Sequence, residues 1–177
     1  MSTADYPSGD YQAALDAVDD HEAGRFGAPD HGRLVERLVC ERRDLAHEDG
    51  TAADARDVDG TPIQIKACRR EHSNGATETV PGRWDAWSDG LLHLLADDGE
   101  YILVVYDGSF DAQDLTPEDV DDYLLASARL DAVTFGELVD GAAWHDHNRP
   151  SKGQRARVFW TAVFDRDTLA VREEVNA

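Results

Sequence analysis

Hydrophobic and polar positions divide the chain into segments of distinct period. Tyr11, Leu15 and Val18 recur at helical spacing in YQAALDAVDD, and Leu34, Val35, Leu38 and Val39 form the buried stripe of a stronger helix expected from His31 to Ala46, with Gly50 beyond its end. DARDV and TPIQIKAC then read as extended runs around Asp59-Gly60, a hairpin signal because type I′ turns need positive φ at both central residues. RWDAWSDGLLHLLADDG predicts a short strand and then a helix carrying Leu91, Leu92, Leu94 and Leu95. Tyr101 to Asp107 is apolar almost throughout, as expected for a strand covered on both faces. Thr116-Pro117-Glu118 combines an N-cap, an N1 proline and an acidic first turn, opening a helix that uses Val120, Tyr123, Leu124 and Leu125. Thr134 to Glu137 has the spacing of a capping box, and Arg155 to Phe164 reads as a late strand. The order is helix, hairpin, strand, helix, strand, helices, strand, which predicts an α/β fold with a mixed sheet. Residues 1–10 are polar and read as a flexible N-terminus, leaving 11–177 as a single domain.

Composition sharpens this outline. At 177 residues and 41% hydrophobic, the chain has enough apolar surface for one domain. Its 37 acids and 17 bases leave a net charge of −20; 26 of the acids are Asp, 15 of the bases are Arg, and Lys66 and Lys152 are the two lysines. This bias resembles that of extreme halophiles. Because the Debye length is ~3 Å in 1 M salt, such a charge does not exclude a polyanionic partner. No run approaches the ~18 apolar residues of a membrane span, and the first residues lack a signal-peptide pattern, so the expectation is a soluble, cytoplasmic protein. Cys40 and Cys68 read as free buried thiols.

The sharpest local feature is Gln64-Ile65-Lys66. Alternation along a strand puts Gln64 and Lys66 on one face and Ile63 and Ile65 on the other. With a two-residue loop at 59–60, opposed residues have numbers summing to 119, so Asp57 lies opposite Pro62 and shares the face of Gln64 and Lys66. A three-residue loop or a bulge would shift the register by one, bring Asp54 opposite Lys66 and put it in place of Asp57. In a chain that favours arginine, a lysine within an Ile-rich strand points to a task for a compact charge, such as holding a phosphate or a nucleophilic water. The blander reading is a strand-edge lysine reaching solvent beside a polar turn. His145-Asp146-His147 is a weak candidate for zinc, His93 reads as a helix-surface histidine, and Trp84 and Trp87 read as core anchors that could stack on bases.

From about residue 31 to 107 the chain resembles the PD-(D/E)xK nuclease superfamily, which includes archaeal Holliday junction resolvases. The resemblance lies in a helix with Glu36, an aspartate on a strand (Asp57, or Asp54), a hairpin, then Gln64-Ile65-Lys66 as (D/E/Q)-x-K, followed by a helix and a strand. It implies a restriction-endonuclease-like fold, a central mixed β-sheet with flanking helices, and metal-dependent hydrolysis of phosphodiester bonds in DNA. It also implies that Asp57 (or Asp54), Gln64 and Glu36 hold Mg²⁺ or Mn²⁺, that Lys66 steadies the attacking water and the phosphorane charge, and that a homodimer is an option. Most members carry an acid at the position of Gln64, and an amide removes one negative charge from the metal site. The segment from Asn148 to Trp160 has no acid and holds Arg149, Lys152, Arg155 and Arg157, which read as phosphate contacts, with Arg69 and Arg70 adding to them from the end of the Lys66 strand. The rival readings are a catalytically inactive nucleic-acid-binding or scaffolding module of the same fold, and an unrelated α/β protein acting through protein contacts.

Overall fold

The structure is a computed structural model and describes residues 10–22, 31–49, 53–73, 75, 78–147 and 150–175. Two helices open the chain, α1 (Tyr11–Glu22) and α2 (His31–Arg43). Helix α2 ends three residues earlier than its apolar pattern suggests, because Asp44 takes a left-handed φ of 52° and the Leu45 amide turns back to the Cys40 carbonyl at 2.9 Å. Five strands then form the central sheet in the order β1 (Ala46–His47), β2 (Ala55–Arg56), β3 (Pro62–Arg69), β7 (Glu100–Tyr106) and β8 (Leu124–Asp131). Strands β3 and β7 are parallel and the other neighbours antiparallel, so the sheet is mixed.

The remaining strands lie outside this sheet. β4 (Glu71–Ser73) pairs with β5 (Thr79–Pro81), and β6 (Arg83–Trp87) pairs with β9 (Arg155–Phe159). Helices α3 (Ser88–Ala96), α4 (Val120–Tyr123) and α5 (Ala132–Asp140) complete the regular elements. One sheet face, with Ile63, Ile65, Ile102 and Val104, packs on Leu34, Val35, Leu38 and Val39 of α2. The opposite face, with Leu103, Val105 and Leu130, packs on α3, α5 and the β6–β9 ribbon through Leu94, Phe135, Trp84 and Val158. Burying each such side chain contributes about 1.5–3 kcal/mol, which is why the central strand reads as an unbroken apolar run.

Besides the early end of α2, three expectations about helix extent, capping and strand length differ from what the fold contains. The helix from Thr116 is confined to a 3₁₀ turn, Pro117–Asp119, and the single turn of α4; Leu124 and Leu125 instead begin β8, which pairs with β7 from Tyr106↔Leu124 to Glu100↔Asp131. The cap of α5 is Asp131, whose carboxylate accepts the Thr134 amide at 2.7 Å, so Thr134 lies inside the helix instead of capping it. The late strand stops at Phe159, and Trp160–Ala162 forms a 3₁₀ turn.

The hairpin register is the difference that matters for the site. Ala55 pairs with Ile63 and Arg56 with Pro62, so opposed numbers sum to 118 and the loop has three residues, Val58 to Gly60. Gly60, at φ 85°, supplies the left-handed position that follows a type I turn in this loop class. Asp57 therefore falls opposite Thr61, inside the turn, and the Asp54 carboxylate meets the Gln64 side chain, two residues short of the Lys66 position expected for the shifted register.

Candidate active site

Strand β2 is only two residues long, so β3 has an open edge beyond Ile63. The Ile65 amide on that edge has no ladder partner and instead donates to the Asp54 carboxylate at 2.7 Å. The same carboxylate oxygen accepts the Gln64 side-chain amide. Asp54 is itself anchored by its backbone, whose amide donates to the Ile63 carbonyl at 2.9 Å and whose carbonyl accepts the Glu48 amide at 2.8 Å. The acid is thus oriented by four hydrogen bonds at the base of the hairpin. Alternation along β3 puts Lys66 on the same side as Gln64, beside Leu103 in the parallel register with β7.

Asp54, Gln64 and Lys66 line one cavity of about 380 Å³ together with Trp87, Asp89, His93, Tyr101 and Lys152. Burial raises the Asp54 pKa above its ordinary 3.8, opposed by the Ile65 amide, the Lys66 charge and the Gln64 amide. Burial likewise lowers the Lys66 pKa below its ordinary 10.5, with Asp54 opposing the shift and Lys152 adding to it. Loss of surrounding water favours the neutral form of each group, and their mutual attraction favours the charged pair.

Asp57 does not join this group. Its carboxylate accepts the turn amides of Asp59 at 3.1 Å and Thr61 at 2.9 Å and a guanidinium N–H of Arg129 at 2.6 Å. Facing Thr61, it lies five positions along β3 from Lys66, roughly 16 Å away. The Arg129 hydrogen bond, first among its partners, holds its pKa below the usual 3.8. Glu36 projects from α2 into a neighbouring cavity of about 460 Å³, whose lining also includes Lys66 and Trp87. Its charge raises the Lys66 pKa from there, whereas Asp54 lines the first cavity.

The expected phosphate contacts divide. Lys152 lines the Asp54 cavity, with its Nζ 5.4 Å from the centre of the Trp87 ring. Arg157 faces Asp85 across the β6–β9 pair, with its Nε 3.5 Å from that carboxylate, and Arg155 reaches the same carboxylate at 3.6 Å while its guanidinium lies 5.9 Å from the centre of the Trp87 ring. Arg69 lines the Glu36 cavity, and both Arg69 and Arg70 line a further hollow beside Asp107. Arg149 lies outside the described residues. Asp85 was missed as a site residue, and Trp87, read as a core anchor that could stack on bases, is only half-buried and lines both cavities, whereas Trp84 is in the core. The signal is the alternation of RWDAW, which buries Trp84 and Ala86 and turns Arg83, Asp85 and Trp87 to the other side of β6.

Among the described residues no three His, Cys, Asp or Glu side chains come together as a ready metal cage. Magnesium in nucleic-acid enzymes is commonly held by one or two carboxylates and completed by water and substrate phosphate, and Asp54 supplies one such carboxylate on an open cavity wall. Gln64 adds an oxygen only when its amide presents Oε1, since its N–H faces Asp54 here. The donor set therefore fits a cation that depends on substrate to complete its shell.

A mixed five-stranded sheet with flanking helices and a Gln-x-Lys strand beside a carboxylate is a restriction-endonuclease-like arrangement. A family model described as PD-(D/E)XK nuclease superfamily domain matches residues 22–165, and the chain belongs to that superfamily. The comparison with curated proteins gives no match. Nucleases of this superfamily typically use divalent metals and act on nucleic acid. No helix among the described residues is long and apolar enough to cross a membrane.

Proposed function

We propose that this chain is a divalent-metal-dependent endonuclease that hydrolyses phosphodiester bonds in DNA, with Asp54, Gln64 and Lys66 as its working residues. The observation that carries this reading is the shared cavity at the open edge of β3, where a backbone-anchored carboxylate and a half-buried lysine face one space. Asp54 and the Gln64 oxygen would hold Mg²⁺ or Mn²⁺, with Glu36 acting on Lys66 from the adjoining cavity. Such an ion supplies charge to a phosphate oxygen and acidifies a water. Lys66 places a compact positive charge against the phosphoryl oxygens as negative charge develops on them, in surroundings that strengthen the interaction. Arg69, Arg155 and Arg157 line the neighbouring surface and grip flanking phosphates, Arg155 and Arg157 by exchanging Asp85 for phosphate oxygens.

The test is cleavage of plasmid and branched DNA in concentrated KCl with Mg²⁺ or Mn²⁺, abolished by EDTA and by Lys66→Ala. Retention of DNA with no cleavage under any of these conditions overturns it. A second reading, a nucleic-acid-binding or scaffolding module that has lost hydrolysis, is favoured by the amide at position 64 and by the lack of three clustered metal-ligating side chains among the described residues.

A further inference from the structure

Both lysines of this chain reach one cavity. Lys66 enters from β3 and Lys152 from the far wall, although the chain otherwise supplies its positive charge as arginine. The placement of Lys152 is built in detail. It ends the 3₁₀ turn Pro150–Lys152, and the next residue, Gly153, has φ 74° and packs against the start of α3. A Cβ at Gly153 would fall 2.2 Å from Ser88 Oγ and 2.4 Å from Asp89 Oδ1. The Gln154 amide donates to Ser88 Oγ at 2.9 Å and the Ser88 amide donates to the Gln154 carbonyl at 2.9 Å, so the turn is tied to the β6–α3 junction from both sides. The Trp87 ring beneath the ammonium completes the support.

We infer that Lys66 and Lys152 together form a clamp for one phosphate group, the scissile phosphodiester, which makes Lys152 a catalytic residue and sets it apart from the arginines that hold flanking phosphates. The inference rests on the nuclease reading and deepens it. Asp54 and Asp89 line the same cavity, and the repulsion that remains between the two ammonium groups is relieved by a phosphodiester anion, more so as a second negative charge develops on it in the transition state. A second point charge also suits a site in which Gln64 stands where an acid would help concentrate metal charge on the phosphate. Arg155 and Arg157 already have Asp85 as a counter-ion, whereas Lys152 faces the space shared with Lys66.

With only two lysines, side-chain ¹⁵N labelling of lysine yields two ammonium signals, assigned through Lys66→Arg and Lys152→Arg. Titration with deoxythymidine 3′,5′-bisphosphate, with and without Mg²⁺, should move both signals with one midpoint, and Lys152→Ala should weaken its binding about tenfold. A Lys152 signal that does not move, an unchanged Kd in Lys152→Ala, or no binding of the bisphosphate overturns the clamp. In cleavage assays Lys152→Ala should lower kcat about tenfold or more and raise KM by no more than it raises the bisphosphate Kd, whereas Arg155→Ala should raise KM with little change in kcat. A Lys152→Ala effect confined to KM also overturns the clamp. Failure of the wild-type chain to cleave any substrate sinks the nuclease reading, and the bisphosphate titration still decides the clamp.

Discussion

The Asp54 carboxylate accepts the Ile65 backbone amide at 2.7 Å, filling the position a longer neighbouring strand would occupy on β3. That bond holds Asp54 in the cavity that Lys66 also lines. Asp54→Asn is therefore expected to lower metal-dependent cleavage by about a hundredfold or more. Asp57→Asn, in the turn, should leave kcat within about threefold while lowering the melting temperature. Steady-state cleavage and thermal melts of the two variants separate these outcomes, and the reverse ranking would return the metal-binding role to Asp57.

Replacing Gln64 by Glu restores a second negative oxygen donor beside Asp54. Gln64→Glu should tighten Mn²⁺ binding, read by calorimetry on the protein alone, and raise cleavage at limiting metal. Unchanged metal affinity would show that position 64 does not contact the ion.

Gly82 allows β6 to start against the end of β3. A Cβ there would lie 1.7 Å from the Arg69 carbonyl oxygen, a backbone atom that cannot step aside. Gly82→Ala should lower the melting temperature sharply and disturb the wall that carries Asp85 and Trp87. Gly90 in α3 has nothing within 4 Å of the added carbon, and Gly90→Ala should stabilise the helix by about 1 kcal/mol.

Asp57, Asp119, Asp131 and Asp165 all have pKa values held below 3.8, chiefly by the Arg129 hydrogen bond for the first, by the Thr116 side chain for the second, and by the backbone amides of Thr134 and Thr168 for the others. A carboxylate whose folded pKa is depressed adds stability above its unfolded value and loses it as pH falls through its folded value. Unfolding free energy should therefore hold near neutral pH and fall below about pH 4, and Asp131→Asn should make that fall shallower. Denaturant titrations at fixed salt from neutral to acid pH measure both.

A net charge of −20 on 177 residues implies self-repulsion that salt relieves. The melting temperature should rise steeply between about 0.1 M and about 1 M KCl as the screening length shortens. An equal melting temperature at both would count against the halophile resemblance.

Much of this molecule was legible along the chain, because a buried parallel strand must be apolar at every position and an amphipathic helix every third or fourth. Tyr101 to Tyr106 and the α2 stripe announce themselves for that reason. Strand β8 was not legible: Val120, Tyr123 and Leu124 have helical spacing, and only the free edge of β7 makes the following residues extend. The Gln64-Lys66 face follows from alternation alone, whereas the choice between Asp54 and Asp57 depended on one residue of loop length, which Asp59-Gly60 does not specify.

Sequence alone determined the periodicities, the acidic surface and the Gln-x-Lys strand, since these are set by neighbours along the chain. Tertiary structure decided which acid of the hairpin lines the same cavity as Lys66, that Glu36 lines the adjoining cavity, and that Lys152 reaches the same space as Lys66. Those outcomes rest on register and on loop closure between distant segments, and contacts of that kind leave no periodic trace in the order of residues.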